Sequence, residues 1–461
     1  MGRLETWLAG LMIAAGSWAV LSEAAVVAPG FQSGSIIPVE TPTFEGVPQV
    51  EQAVDAFRQR DYDKCFKLLE EAKKTNEEVP PPRLMLAKLY LTEDMLPQAR
   101  ANLEVAAMDS PEYPETYNLF GRLALREGRL TDADLNFAKS LSLTETDRWS
   151  QKDKTRFLKD CLNGLAAVAE VRKDWKAAEK SLVRWLELDA KNSVARQRLA
   201  RALFFQERPD EAFGELETAS KNDIELPPPA VNMGWFFTQK GNAQEAESWM
   251  RKAVEQNPED ARTHANLANW LLQQNRAKEA KDHIRGALER DPKSIAYQQL
   301  QGQIFRHLKE YDSAEKIFSD LNQKFPAEML YSNQLALSLI EQEDRAKHQR
   351  ARQLAEVNFR QYPKNADVLT ILGRVLYRLG EVDNAEQALR QAIATGRASS
   401  ETAYYLALIA VDRGRLDEAK DVLKRALDTP GQFVYRQDAQ ALYDRLNAGG
   451  AAAAPVGAAK P

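Results

Sequence analysis

A 34-residue period governs most of this chain. The stretch GNAQEAESWMRKAVEQNP, Gly241 to Pro258, returns as NRAKEAKDHIRGALERDP, Asn275 to Pro292, and again as KEYDSAEKIFSDLNQKFP, Lys309 to Pro326, each time 34 residues on. A fixed period of this length is the mark of one supersecondary unit copied along the chain, each copy burying its apolar face against the next. In register, the frame gives eleven units: 46–79, 80–113, 114–147, 159–192, 193–226, 227–260, 261–294, 295–328, 329–365, 366–399 and 400–433. Two phase breaks interrupt it, an insertion at 148–158 and three extra residues within EQEDRAKHQR of the ninth unit.

The repeated pattern is that of a helical hairpin. The eighth position of every unit is Ala or Gly, from Ala53 and Ala87 to Gly373 and Ala407, and the twentieth is Ala in every unit but the first, which has Cys65. Two antiparallel helices approach closely only where both present small side chains. Large apolar residues at position 24, such as Leu103, Phe137, Met250, Ile284, Phe318, Leu389 and Leu423, fill the space beside that contact. Gly128, Gly241, Gly380 and Gly414 supply left-handed turns between the helices, and Pro111, Pro258, Pro292, Pro326 and Pro363 close the second helices. Ala, Leu, Glu, Lys, Arg and Gln dominate the composition, which favours helix over strand. The expected class is all-α.

Small residues at 8, an aromatic or Leu at 11, Ala at 20, bulk at 24, Ala at 27 and Pro at 32 resemble the tetratricopeptide repeat. LAKLYLTEDMLPQARANLEVAAMDSP and GWFFTQKGNAQEAESWMRKAVEQNP fit almost throughout, while Trp185, Leu321 and Asn358 depart from the pattern at position 27. The resemblance implies a right-handed superhelical solenoid of hairpins over 46–433 whose first helices line a groove, with 434–448 as a capping helix. It implies a scaffold that binds peptides, proteins or occasionally polymers, and no catalysis.

The ends read differently. Arg3 followed by the uncharged run Trp7 to Leu21 and then small residues has the form of a secretory signal peptide or signal anchor over 1–28. Residues 29–45 are a linker rich in Pro and Gly, and 449–461 form a low-complexity Ala/Gly/Pro tail expected to be disordered. The expectation is export, to a periplasmic or other extracytoplasmic place or to a membrane anchored by the N-terminus.

Function classes narrow quickly. With 62 Lys and Arg against 67 Asp and Glu, net charge −5, the chain has no field for nucleic acid, which disfavours an RNA-binding helical repeat. Its four histidines, His264, His283, His307 and His348, form no i, i+4 pair, and the two cysteines, Cys65 and Cys161, stand 96 positions apart. Neither a metal site nor a cofactor site nor a nucleophile motif is expected.

The groove-facing positions of the first helices are 2, 5, 6, 9, 12 and 13. In repeats five to eight their acids vanish, leaving Arg198, Arg201, Arg262 and Arg306 with Asn232, Asn266, Asn269, Gln299 and Gln303, and Trp235 as a flat apolar platform. Arginine forks and carboxamides suit carboxylates and the backbone of an extended peptide. The expected partner is an acidic or carboxylate-bearing extended segment of another envelope protein; the alternative is assembly of an envelope polymer or secretion complex. A two-carboxylate clamp known in the resembling family is matched only at Asn232 and Arg262.

Overall fold

In a computed structural model the described residues are 41–42, 44, 46–429 and 433–448. The signal segment at 1–28, nearly all of the linker at 29–45 and the tail at 449–461 lie outside them. Among the described residues the regular structure is helical throughout, with no strand.

Two compact units divide the chain, one up to Phe236 and one from Phe237 onward. The first contains α1 Pro48–Arg58, α2 Tyr62–Thr75, α3 Pro82–Thr92, α4 Leu96–Asp109 and α5 Pro114–Arg126. It continues through α6 Leu130–Thr144, α7 Gln151–Val171, α8 Trp175–Leu188, α9 Ser193–Phe204 and α10 Pro209–Asn222 into most of α11 Pro229–Gln239. The second contains α12 Ala243–Gln256, α13 Ala261–Gln273, α14 Ala277–Arg290, α15 Ile295–His307, α16 Tyr311–Lys324 and α17 Met329–Ile340. It ends with α18 Arg345–Gln361, α19 Ala366–Arg378, α20 Val382–Ala394, α21 Ser400–Asp412, α22 Leu416–Asp428 and α23 Arg436–Asn447. Within each unit the two helices of a repeat pack on one another, and the second packs on the first helix of the next repeat.

The period explains the packing. Cys65, Ala99, Ala133, Ala178, Ala212 and their counterparts through Ala419 are all fully buried, as are the position-24 residues Leu69, Phe137, Phe318 and Leu423. Where position 8 is glycine, the reason is steric: a Cβ on Gly302 would stand 2.6 Å from the Phe318 ring, and one on Gly121 would stand 2.7 Å from that of Phe137. Each closing proline follows a one-residue cap, as Pro258 follows Asn257, whose N–H donates to Ala253. Trp185, Leu321 and Asn358 stay buried in the frame, and the carboxamide of Asn358 is satisfied by Ser332 at 2.9 Å and Asn333 at 2.7 Å.

Both phase breaks become extra helix. The insertion at 148–158 lengthens the start of α7, which reaches 21 residues, and the three added residues make α18 17 residues long. Both cysteines are free and buried, and burial pushes each thiol up to about 12.

Candidate functional site

On the first-helix face of the N-terminal unit, charge is already matched between neighbouring repeats. Lys88 of α3 meets Glu115 of α5 at 2.6 Å, and Arg156 of α7 approaches the same carboxylate at 3.6 Å. Burial alone would raise the Glu115 carboxyl, but Lys88 and Arg156 outweigh it and hold it low. Asp160, one turn along α7, goes the other way: burial and the Glu115 charge lift it to about 6. Arg198 is 5 % exposed and donates to Glu170 at 2.8 Å and to Asn163 Oδ1 at 2.5 Å. The expectation that Arg198 offers its charge to a ligand is therefore corrected: its fork ties α9 to α7. Trp235 is corrected too, since at 3 % exposure it is packed and offers no open platform. Arg201 lies over the Trp175 and Phe205 rings, 5.2 and 5.7 Å from their centroids. Asn232 is buried, and its side-chain oxygen accepts no hydrogen bond.

The C-terminal unit holds the other half of the expected residues. Arg262 folds back on Asp260, with Nη2 2.7 Å from the carboxylate, and Asn266 donates to the Arg262 carbonyl at 2.9 Å. Asn269 is buried and Gln303 half-buried. Arg306 differs from all of them. It is 5 % exposed, its Nη1 donates to Gln334, and neither Nε nor Nη2 has a hydrogen-bond partner. Burial pulls its pKa down, opposed by Glu401, and Arg374 pulls in the same direction as burial. The carboxamide oxygen of Gln299, two turns earlier on α15, is likewise buried without a donor. The structure also brings the His264 and His283 rings to 6.0 Å, which their spacing did not suggest, but among the described residues no group of three potential ligands could hold a metal.

Sequence profiles described as tetratricopeptide repeat match residues 237–304 in one case and 197–261, 334–401 and 372–434 in another. Residues 197–304 and 334–434 belong to the tetratricopeptide repeat family. Among solved structures it is similar to a thermophilic tetratricopeptide repeat protein of Thermus thermophilus, at 23% identity over 41% of this chain and 99% of that one, TM-score 0.35. It is also similar to a tetratricopeptide repeat protein of Parabacteroides merdae, at 17% identity over 59% and 99%, TM-score 0.38. Yeast Tom70 aligns at 14% identity over 87% and 95%, TM-score 0.37. No curated protein matches significantly. Tetratricopeptide repeats make protein-interaction scaffolds, typically without catalysis, and this chain is built as one.

One part of the tetratricopeptide face was not anticipated. The expected cap is present as α23, but the residues leading into it and its first turn lie on the first-helix face of repeats ten and eleven and reach the hairpin turns of repeats seven and eight. The Phe433 N–H donates to Asn275 at 3.3 Å, and Asp438 meets Lys309 at 3.0 Å. The Tyr435 hydroxyl receives a hydrogen bond from Arg374 and donates to Glu341 at 3.3 Å. Arg374 is 0 % exposed and is also held by Glu341 at 2.8 Å and Glu401 at 3.4 Å. Contacts spanning 61 to 158 positions have no local signature, which is why sequence reading missed them.

Proposed function

We propose that the chain is a non-catalytic scaffold whose first-helix face at repeats seven and eight takes a carboxylate-bearing extended segment of another protein, outside the cytoplasm. The observation that carries this reading is Arg306, a buried guanidinium with two nitrogens, Nε and Nη2, unmet. Such a group is expensive to leave unpaired, and a bidentate carboxylate is its natural complement. Asn266, Asn269 and Gln303 add carboxamides that suit the backbone of an extended chain. Arg201 and Asn232 offer similar chemistry in the N-terminal unit. The apolar run Trp7 to Leu21 supports export; among the described residues no helix is long and apolar enough to cross a membrane.

The test compares extended peptides carrying Asp or Glu with the same peptides carrying Asn or Gln, by fluorescence anisotropy against the full chain. Acidic peptides should bind about tenfold tighter or more, a difference of about 1.4 kcal/mol, and Arg306→Gln should erase the preference. Equal binding of acids and amides would sink this reading.

A further inference from the structure

A capping helix needs to cover only the last hairpin, so the reach of the segment Phe433–Asp438 back to repeats seven and eight calls for its own account. The segment places two aromatic rings on the face where partners of such scaffolds sit. Tyr435 stacks on Tyr404 with centroids 5.1 Å apart and planes 8° off parallel, and meets Tyr405 edge-on at 5.7 Å. Phe433 is buried against Tyr404 at 6.1 Å. The Tyr435 hydroxyl sits between Arg374 and Glu341, and Asp438 follows with its carboxylate on Lys309. These are side-chain contacts on groove-facing positions of α19 and α21, reached from the chain that follows α22.

We propose that Phe433–Asp438 is an internal occupant of the groove of repeats eight to eleven, and that its chemistry is that of the partner segment that displaces it. The partner carries two aromatic residues at i and i+2, the second a tyrosine, and a carboxylate at i+5, as Phe433, Tyr435 and Asp438 do. The inference rests on the scaffold reading above and adds the partner's pattern and a competition that gates access. The closed state has a built-in weakness. Arg306 lies in the same unit and finds no carboxylate within bonding distance, so the internal segment leaves unmet a group that an incoming acidic segment can satisfy. Tethering favours the internal segment, because a covalently linked ligand competes at an effective concentration of about millimolar. Displacement therefore requires either a better match or a weakened strap.

The experiment uses a fluorescent synthetic peptide of residues 431–440, GQFVYRQDAQ, with the full chain and with its Phe433→Ala/Tyr435→Ala variant. Vacating the internal segment should tighten binding of the peptide in trans by about tenfold or more. A peptide with both aromatics replaced by alanine should bind neither protein. A second readout does not depend on how the variant folds. In the wild-type chain, saturating peptide should speed hydrogen exchange at Tyr435–Ala439 while leaving α19 and α21 unchanged. Equal affinity of both proteins for the peptide, no binding to either, or exchange at 435–439 that does not respond to peptide would each overturn the proposal. Should that happen while acidic peptides still bind through Arg306, the segment is a cap alone and the scaffold reading stands.

Discussion

At the scale of single residues, the fold depends on where the repeat forbids bulk and where it demands a left-handed backbone. Phe137 shows the first. Its ring lies between two successive first helices, and a Cβ on Gly121 or Gly164 would come within 2.7 or 2.3 Å of it. Gly164→Ala should therefore destabilise the N-terminal unit by about 1–3 kcal/mol, more than Gly121→Ala, and Phe137→Leu should recover part of the loss. Thermal melts of the three variants and the doubles check this; additive losses would show that the contact is not shared. The left-handed position between helices was legible only in part. Gly128, Gly241, Gly380 and Gly414 announced it, yet the equivalent residues Arg60, Asp94, Lys173, Glu207, Asn275 and Lys309 adopt it without glycine, at φ of 58 to 64°. The hairpin's packing overrides the local preference of these six, so residue type alone could not reveal them.

Among the helices, the phase breaks carry the lesson. Reading 148–158 as an insertion was possible from the period, but its conversion into the first turns of α7 depends on an aromatic cluster assembled from separate segments. Trp149 meets Tyr113 at 5.3 Å and Phe157 at 5.2 Å, and its indole N–H donates to the Leu143 carbonyl at 2.9 Å. Ser150 then caps α7 by accepting from the Asp153 N–H at 3.1 Å. Trp149→Ala should remove about 2 kcal/mol of local stability and raise hydrogen exchange at 151–158 ahead of the rest of α7. Unchanged protection there would mean that the extension is held by α7 itself. The candidate site was legible in the same uneven way. Periodicity placed Arg198, Arg306 and Arg374 on one face, because helical register is local. Their partners were not visible, because Glu170, Gln334 and Tyr435 arrive from 28 to 61 positions away.

Across the whole molecule, the charges that look scattered in sequence form a repeating clasp. Glu179 bonds Arg208 at 2.8 Å, Glu247 bonds Arg276 at 2.6 Å, and Glu386 bonds Arg415 at 3.0 Å. Each pair joins position 21 of an even-numbered repeat to position 16 of the next, and Glu315 with Lys347, at 2.7 Å, takes the same place where the ninth repeat is lengthened. The arginines are further oriented by glutamates on their own helices, Arg208 by Glu211 at 2.7 Å and Arg276 by Glu279 at 2.6 Å. Since an array of this kind is stabilised through nearest-neighbour interfaces, these clasps act on the coupling between repeats rather than on helix formation. The hydrogen bond from Arg276, aided by Arg251, holds the Glu247 carboxyl at about 2. A carboxyl depressed in the folded state contributes stability above its ordinary pKa near 4.5 and loses it as pH falls toward 2. Partly exposed pairs are each worth about 0.5–1 kcal/mol after solvent screening. Replacing Glu179, Glu247, Glu315 and Glu386 together by Gln should therefore lower the melting temperature by several degrees at pH 7 and low salt, while far-ultraviolet circular dichroism of the folded protein stays unchanged. The gap should shrink in high salt and narrow as pH falls from about 4.5 toward 2, as the Glu247 carboxylate takes up its proton in the folded state. If the variant melts with the wild type at pH 7, or if the gap is as wide at pH 2 as at pH 7, the clasps do not couple the repeats.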